Sequence, residues 1–184
     1  MKKIFTILAL TIVFSVNAQD FWFQGTLSNA IQTANATAIG FNSTAMGYYT
    51  TASGNYSTAM GYGTTASDKY STAMGRNTTA SGYYTTAMGY STTASGRNST
   101  AMGDNTTASD FGSLVIGQYN SSGSSVTGSA TAFDTANTAF VIGNGTSATA
   151  SDAFKVMFNG DTYVSSSLYL GGTKITSTAT ELNL

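Results

Sequence analysis

Tyr48, Tyr62, Arg76, Tyr90 and Asp104 stand fourteen residues apart in this chain, and Asn55, Lys69, Tyr83, Arg97 and Phe111 form a second such series. Side chains at a fixed spacing come together only if the backbone repeats with the same period. Tyr62-Arg76-Tyr90 and Lys69-Tyr83-Arg97 then stack as cation–π ladders. Their chemistry is recognition: aromatic faces, guanidinium forks and amides of the kind that binding loops use. The structural alternative is that these ladders only brace neighbouring coils. The candidate ligand surface is therefore Tyr48, Tyr62, Arg76 and Tyr90 on one edge, with Lys69, Tyr83 and Arg97 on the other.

Catalysis has little to work with. The 184 residues include no His and no Cys, which removes a Ser-His-Asp triad, a Cys-His nucleophile and an ordinary zinc site. The acids stand singly at Asp20, Asp68, Asp104, Asp110, Asp134, Asp152, Asp161 and Glu181, with no pair spaced as a general acid and its base. No enzyme activity, cofactor or metal is expected.

The N-terminus reads as a secretory signal over 1–18. Lys2 and Lys3 precede an apolar run from Ile4 to Phe14, and Val16-Asn17-Ala18 offers small residues before a cut ahead of Gln19. The run is shorter than the ~20 apolar residues that cross a bilayer. No membrane span is expected after cleavage. Without Lys2 and Lys3, five basic residues face eight acidic ones, a net charge of −3. Scattered cations on a weakly acidic chain give no footing for nucleic acid.

The elements that must position the two series are legible in the repeat. From Thr37 to Asn120 the chain divides into twelve seven-residue units, beginning TAIGFNS, TAMGYYT, TASGNYS and TAMGYGT. The third position alternates, so the true period is 14: Met46, Met60, Met74, Met88, Met102 and Ile116 in one half, Ser53, Ser67, Ser81, Ser95 and Ser109 in the other. Gly at the fourth position of most units would cost a helix ~1 kcal/mol each time. Thr at the first position favours a pleated surface. Each unit thus reads as a short strand closed by Gly and two turn residues. Two strands and two turns make one coil, and coils stacked at ~4.8 Å give a rod about 29 Å long. Asn77 and Asn98 open glycosylation-type sequons, but their place in the unit makes them turn residues.

Strand alternation puts Thr with Met or Ser on one side, and Ala with Gly on the other. A column of alanines suits a narrow interior, and leaves one outer face apolar and the other wet. Alanine is a poor filling, since each buried CH₂ returns only ~0.8 kcal/mol, whereas covering the Met row with symmetry mates adds ~1.5–3 kcal/mol per residue. A contiguous exposed apolar row marks an interface. Met46, Met60, Met74, Met88, Met102 and Ile116 are the expected contact between copies.

Thr44-Ala45-Met46-Gly47 and Thr51-Ala52-Ser53-Gly54, alternating every seven residues, resemble the head repeats of YadA-like trimeric autotransporter adhesins. The resemblance covers about residues 30–150. It implies an all-β, left-handed parallel β-roll, a homotrimer, and ligand binding along the outside of the trimer to matrix or cell-surface targets. It also implies a secreted or bacterial cell-surface location, associated with the outer membrane if an anchor is supplied elsewhere. Family members usually carry Ile or Val where this chain has Met. Their coiled-coil stalk and membrane barrel are not recognisable here, so anchoring is not carried over.

The expected organisation is a leader (1–18), a lead-in (19–36), the roll (37–120), a Gly/Ser-rich break (121–138), a β-rich neck-like segment (139–176) and the start of a helix (177–184). Ala139 to Gly145 and Ala153 to Gly160 resemble segments that follow such heads in bacterial and phage-fibre-like proteins. Asn159-Gly160 is a hairpin signal. Thr178 to Glu181 spells a capping box, as if a truncated chain were entering a coiled coil. Two other functions fit parts of the pattern. The rows Thr51/Ser53, Thr65/Ser67, Thr79/Ser81, Thr93/Ser95 and Thr107/Ser109 resemble the hydroxyl faces of ice-binding solenoids, and the tail resembles a phage-like fibre fragment.

Overall fold

The chain turns a corner every seven residues because the sixth residue of each unit takes a left-handed backbone. Positive φ recurs at Asn35, Asn42, Tyr49, Tyr56, Gly63, Tyr70, Asn77, Tyr84, Ser91, Asn98, Asn105, Gly112 and Tyr119. Asn and Gly take this conformation at little cost; Tyr does not. A computed structural model describes residues 23–24, 30–170 and 172–174. The leader at 1–18 and the capping box at 178–181 lie outside the described residues.

The corners separate two sheets that share one interior. The larger has eleven strands in the order β1 (Phe23–Gln24), β2 (Ile31–Gln32), β4 (Thr44–Tyr48), β6 (Thr58–Tyr62), β8 (Thr72–Arg76), β10 (Thr86–Tyr90), β12 (Thr100–Asp104), β14 (Leu114–Gln118), β15 (Thr138–Asn144), β16 (Asp152–Met157) and β17 (Thr162–Val164). The smaller has six two-residue strands, β3 (Thr37–Ala38), β5 (Thr51–Ala52), β7 (Thr65–Ala66), β9 (Thr79–Ala80), β11 (Thr93–Ala94) and β13 (Thr107–Ala108). From β4 to β14 and from β3 to β13 every pairing is parallel and offset by fourteen residues, Met46 beside Met60 and Thr51 beside Thr65. This is a β-solenoid of about six coils, as the repeat predicts. β18 (Tyr169–Leu170) and β19 (Thr173–Lys174) form a separate antiparallel pair.

The interior is a single column. Ala45, Ala52, Ala59 and their successors through Ala108 are fully buried, and Val115 and Val141 continue the column. The Met residues are half-buried on the outside of the larger sheet, not enclosed in their own coils. Two expectations need correction. The seventh residue of each unit also points inward: Ser43, Thr50, Ser57, Thr64, Ser71, Thr78, Thr85, Thr92, Ser99 and Thr106 are at most 1% exposed. Their small side chains share the filling with alanine, so the interior is denser than alanine alone implies. Glycine keeps alanine's side in only one half. Gly54, Gly82 and Gly96 are buried, whereas Gly47, Gly61, Gly75, Gly89 and Gly103 are exposed. In the Met half φ near +120° at these glycines breaks the alternation, and the strand runs on to the fifth residue. A Cβ at Gly89 would overlap the carbonyl oxygen of Gly103, so the coils stack too closely there for any side chain.

Past the array the larger sheet continues. β15 pairs parallel with β14, placing Val141 beside Val115 and Ile142 beside Ile116, and β16 and β17 add antiparallel strands. The Asn159-Gly160 hairpin forms as predicted: the Met157 N–H donates to Asp161 O at 2.8 Å and the Gly160 N–H to Met157 O at 3.0 Å. Residues 121–137 fold as a lobe over the end of the smaller sheet. The Asn120 side chain takes the part of a missing strand: its Oδ1 accepts from Thr107 N–H at 2.8 Å and its Nδ2 donates to Thr107 O at 2.9 Å. The next edge group, Ser109 N–H, donates to Gly123 O at 2.8 Å. The sheet therefore ends without an open edge at β13.

Candidate recognition surface

Fifth- and sixth-position side chains line the corners, and the register of the sheets stacks them. On the edge after the Met strands, Tyr48 and Tyr62 lie 5.7 Å apart with planes 21° from parallel. The Arg76 guanidinium then sits between two rings, 5.7 Å from the Tyr62 centroid and 5.4 Å from that of Tyr90. The structure thus brings Tyr48, Tyr62, Arg76 and Tyr90 into one column. A planar cation between aromatic faces is held in place without a carboxylate partner.

The opposite edge is organised differently from the expectation. Arg97 lies 5.4 Å from the Tyr83 centroid, but the tightest stack is of sixth-position residues that the fifth-position series passed over. Tyr56, Tyr70 and Tyr84 stack at 5.1 and 4.9 Å with planes 4° and 14° from parallel. All three rings stand on left-handed backbone, an unfavourable setting that the stacking offsets, since each aromatic pair is worth ~0.5–1.5 kcal/mol beyond burial. The signal was present in the sequence as Tyr at 56, 70 and 84. Lys69 is exposed beside this column, and its N–H donates to Asp68 Oδ1 at 2.7 Å. Two phenols sit above their ordinary value: Tyr83 through a hydrogen bond with Tyr84, and Tyr48 through one with Tyr49, with partial desolvation adding to each. These two phenols stay protonated at neutral pH.

Between the smaller sheet and the lobe runs an open groove of about 470 Å³, lined by Asp68, Ser81, Tyr83, Ser95, Arg97 and Thr131 among others. Its wall is fixed to its floor, because Arg97 N–H donates to Ala130 O at 2.8 Å and Phe111 N–H to Ser129 O at 2.9 Å. The lobe is held from inside by two buried side chains. Asn137 Oδ1 accepts from Gly128 and Ser129 N–H at 3.1 and 2.6 Å. Asp110 accepts from Thr127 N–H, Thr127 Oγ1 and Thr138 N–H at 2.7, 2.8 and 2.7 Å. Among the described residues no three acidic side chains gather as metal ligands, and no helix is long and apolar enough to cross a membrane.

The Met row is the other prominent surface. Met46, Met60, Met74, Met88, Met102 and Ile116 are directly paired along the larger sheet, and β15 extends the row with Ile142. One apolar stripe thus runs unbroken from β4 to β15.

The model of the YadA head domain repeat, two copies per match, fits residues 38–64, 52–78, 66–92, 80–106 and 94–120, each window fourteen residues beyond the last. Residues 38–120 are YadA head repeats. No curated protein and no solved structure matches the chain. The YadA head windows contain the whole Met row up to Ile116 and both aromatic edges, and they end where the lobe begins. Head repeats of this type belong to adhesins, and the array is an adhesin-like head.

Proposed function

We propose that the protein is exported and works at a bacterial cell surface as a trimeric adhesive head. The observation that carries this reading is the unbroken, outward-facing Met row on a solenoid whose own interior, up to Ala108, is filled by the small side chains of Ala, Ser and Thr. Three such faces brought together about an axis would bury seven apolar side chains per copy, at ~1.5–3 kcal/mol each. That arrangement leaves the aromatic edges and the groove on the outside, where a ligand on matrix or on another cell can reach them. Shallow sites of this kind are weak singly and strong when three act together.

Native mass measurement of the purified protein tests the assembly: three copies are expected, and a stable monomer would overturn it. Adhesion of protein-coated beads to extracellular matrix or cultured cells tests the activity, and beads that bind no better than uncoated ones would remove it. The hydroxyl rows of the smaller sheet favour a second reading, ice binding, because Thr and Ser stand in strict register on a run of parallel strands. The lobe weighs against it by covering the end of the array, where Ser109 is only 7% exposed. A thermal-hysteresis measurement separates the two.

A further inference from the structure

We infer that the groove between the smaller sheet and the lobe binds an acidic saccharide, a sugar chain bearing carboxylates. This deepens the adhesive reading and rests on it only for the ligand's place on a surface, because the groove is complete within one copy. Its floor carries the Ser81 and Ser95 hydroxyls on adjacent coils, its ends carry Asp68 and Arg97, and Tyr83 and Thr131 complete the walls. Closely spaced hydroxyls beside an aromatic ring match the alternating hydroxyl and C–H surfaces of a pyranose. Asp68 and Arg97 belong to coils two steps apart, roughly 9–10 Å along the axis, which is the span of about two sugar rings.

Polarity fixes the class further. The Arg97 guanidinium is exposed and steadied against Tyr83 at 5.4 Å, a planar fork suited to a carboxylate. Asp68 at the far end accepts from sugar hydroxyls. One cation is too few for a nucleic acid, whose binding scales with the number of neutralised phosphates. The groove's lining offers no large aliphatic side chain against which a peptide side chain would seat. At about 470 Å³ the groove has the size of a small-ligand site.

Calorimetric titration of the purified full chain tests this with trigalacturonic acid as probe and maltotriose as neutral control. Binding of the acid, with at least ten-fold weaker binding of maltotriose, is expected. Arg97→Met, which keeps the side-chain stem over Tyr83, and Thr131→Trp, which obstructs the groove from its exposed wall, should each weaken acid binding ten-fold or more at an unchanged unfolding midpoint. Equal affinity for both sugars overturns the acidic class. Undiminished binding in both variants overturns the site, and an absence of binding at millimolar sugar overturns the inference altogether. Bead adhesion that survives Arg97→Met would sink the groove as the adhesive contact and leave the adhesin reading standing; wild-type beads that fail to adhere, while the protein still binds the acid sugar, would sink the adhesin reading and leave the groove standing.

Discussion

Asp110 Oδ2 accepts a hydrogen bond from the backbone N–H of Thr138 at 2.7 Å, joining the last Ser-half unit of the array to the first residue of β15 across 28 positions. The same carboxylate holds Thr127 through two further bonds, and it is fully buried. Removing it would leave buried N–H groups without partners, each costing ~1–3 kcal/mol. Asp110→Ala is therefore expected to lower stability by about 3 kcal/mol in urea unfolding. Limited proteolysis should then cut within 121–137 faster than in the native protein. An uncut lobe in this variant would show that the clamp is not what orders it.

The buried hydroxyls divide into two kinds. Thr50, Thr64, Thr78, Thr92 and Thr106 each carry an Oγ1 with no hydrogen-bond partner, whereas Ser71 Oγ donates to Asp68 O at 2.6 Å. Replacing an unpartnered buried hydroxyl with a methyl of the same shape removes a desolvation cost. Thr78→Val is expected to stabilise the protein by about 1 kcal/mol. Ser71→Ala, which deletes a made bond, should destabilise it by about the same amount. Unfolding midpoints of the two variants must move in opposite directions.

If copies meet along the Met row, a charge in its middle should drive them apart. Met74→Glu would place one carboxylate per copy at the contact, and an uncompensated buried charge costs several kcal/mol per ion. The native mass should fall from three copies to one. Ser67→Glu, on the exposed outer side of the smaller sheet, should leave it unchanged. A trimer that survives Met74→Glu would move the contact to another face.

Tyr48 and Tyr83 supply a test in alkali. Their phenols are raised above the ordinary value of about 10 by hydrogen bonds with Tyr49 and Tyr84. A raised phenol means that the folded state retains its proton longer than the unfolded chain. The resulting stability is present in full below about pH 10 and is lost as pH rises through the raised values. In a phenolate-absorbance titration these two rings should ionise last. Tyr49→Phe and Tyr84→Phe should return them to the ordinary range.

The coil and its outward faces were legible because alternation within Thr-Ala-Met is a local property of a strand. Ala45 inside and Met46 outside follow from it directly. The inward seventh residue was not legible that way. Thr50 and Thr78 follow two turn residues, and a hydroxyl reads as surface chemistry until a corner aims it at the interior. Gly47 defeated the alternation because its left-handed φ depends on how the next coil stacks. The lobe looked like a break for a similar reason. Its order comes from Asp110, Asn120 and Asn137, polar residues whose partners lie far along the chain. Two of them left a trace, since Asp110 stands where most units have Gly and Asn120 where the others have Ser or Thr. The groove edge at Tyr83 and Arg97 was visible from spacing, but its opposite wall at Ala130 and Thr131 was not.

Because each coil from Thr44 onward presents the same backbone to the coil before and after it, the rod has no preferred number of steps. Excising Thr72 to Thr85 would bring β6 against β10 with every ladder bond re-formed, and copying the segment would lengthen the molecule by one rise. A tandem stretch of codons is prone to such gains and losses during replication. The distance to which this head projects is thus open to adjustment in fixed increments, with the Asp110 clamp always closing whichever coil comes last.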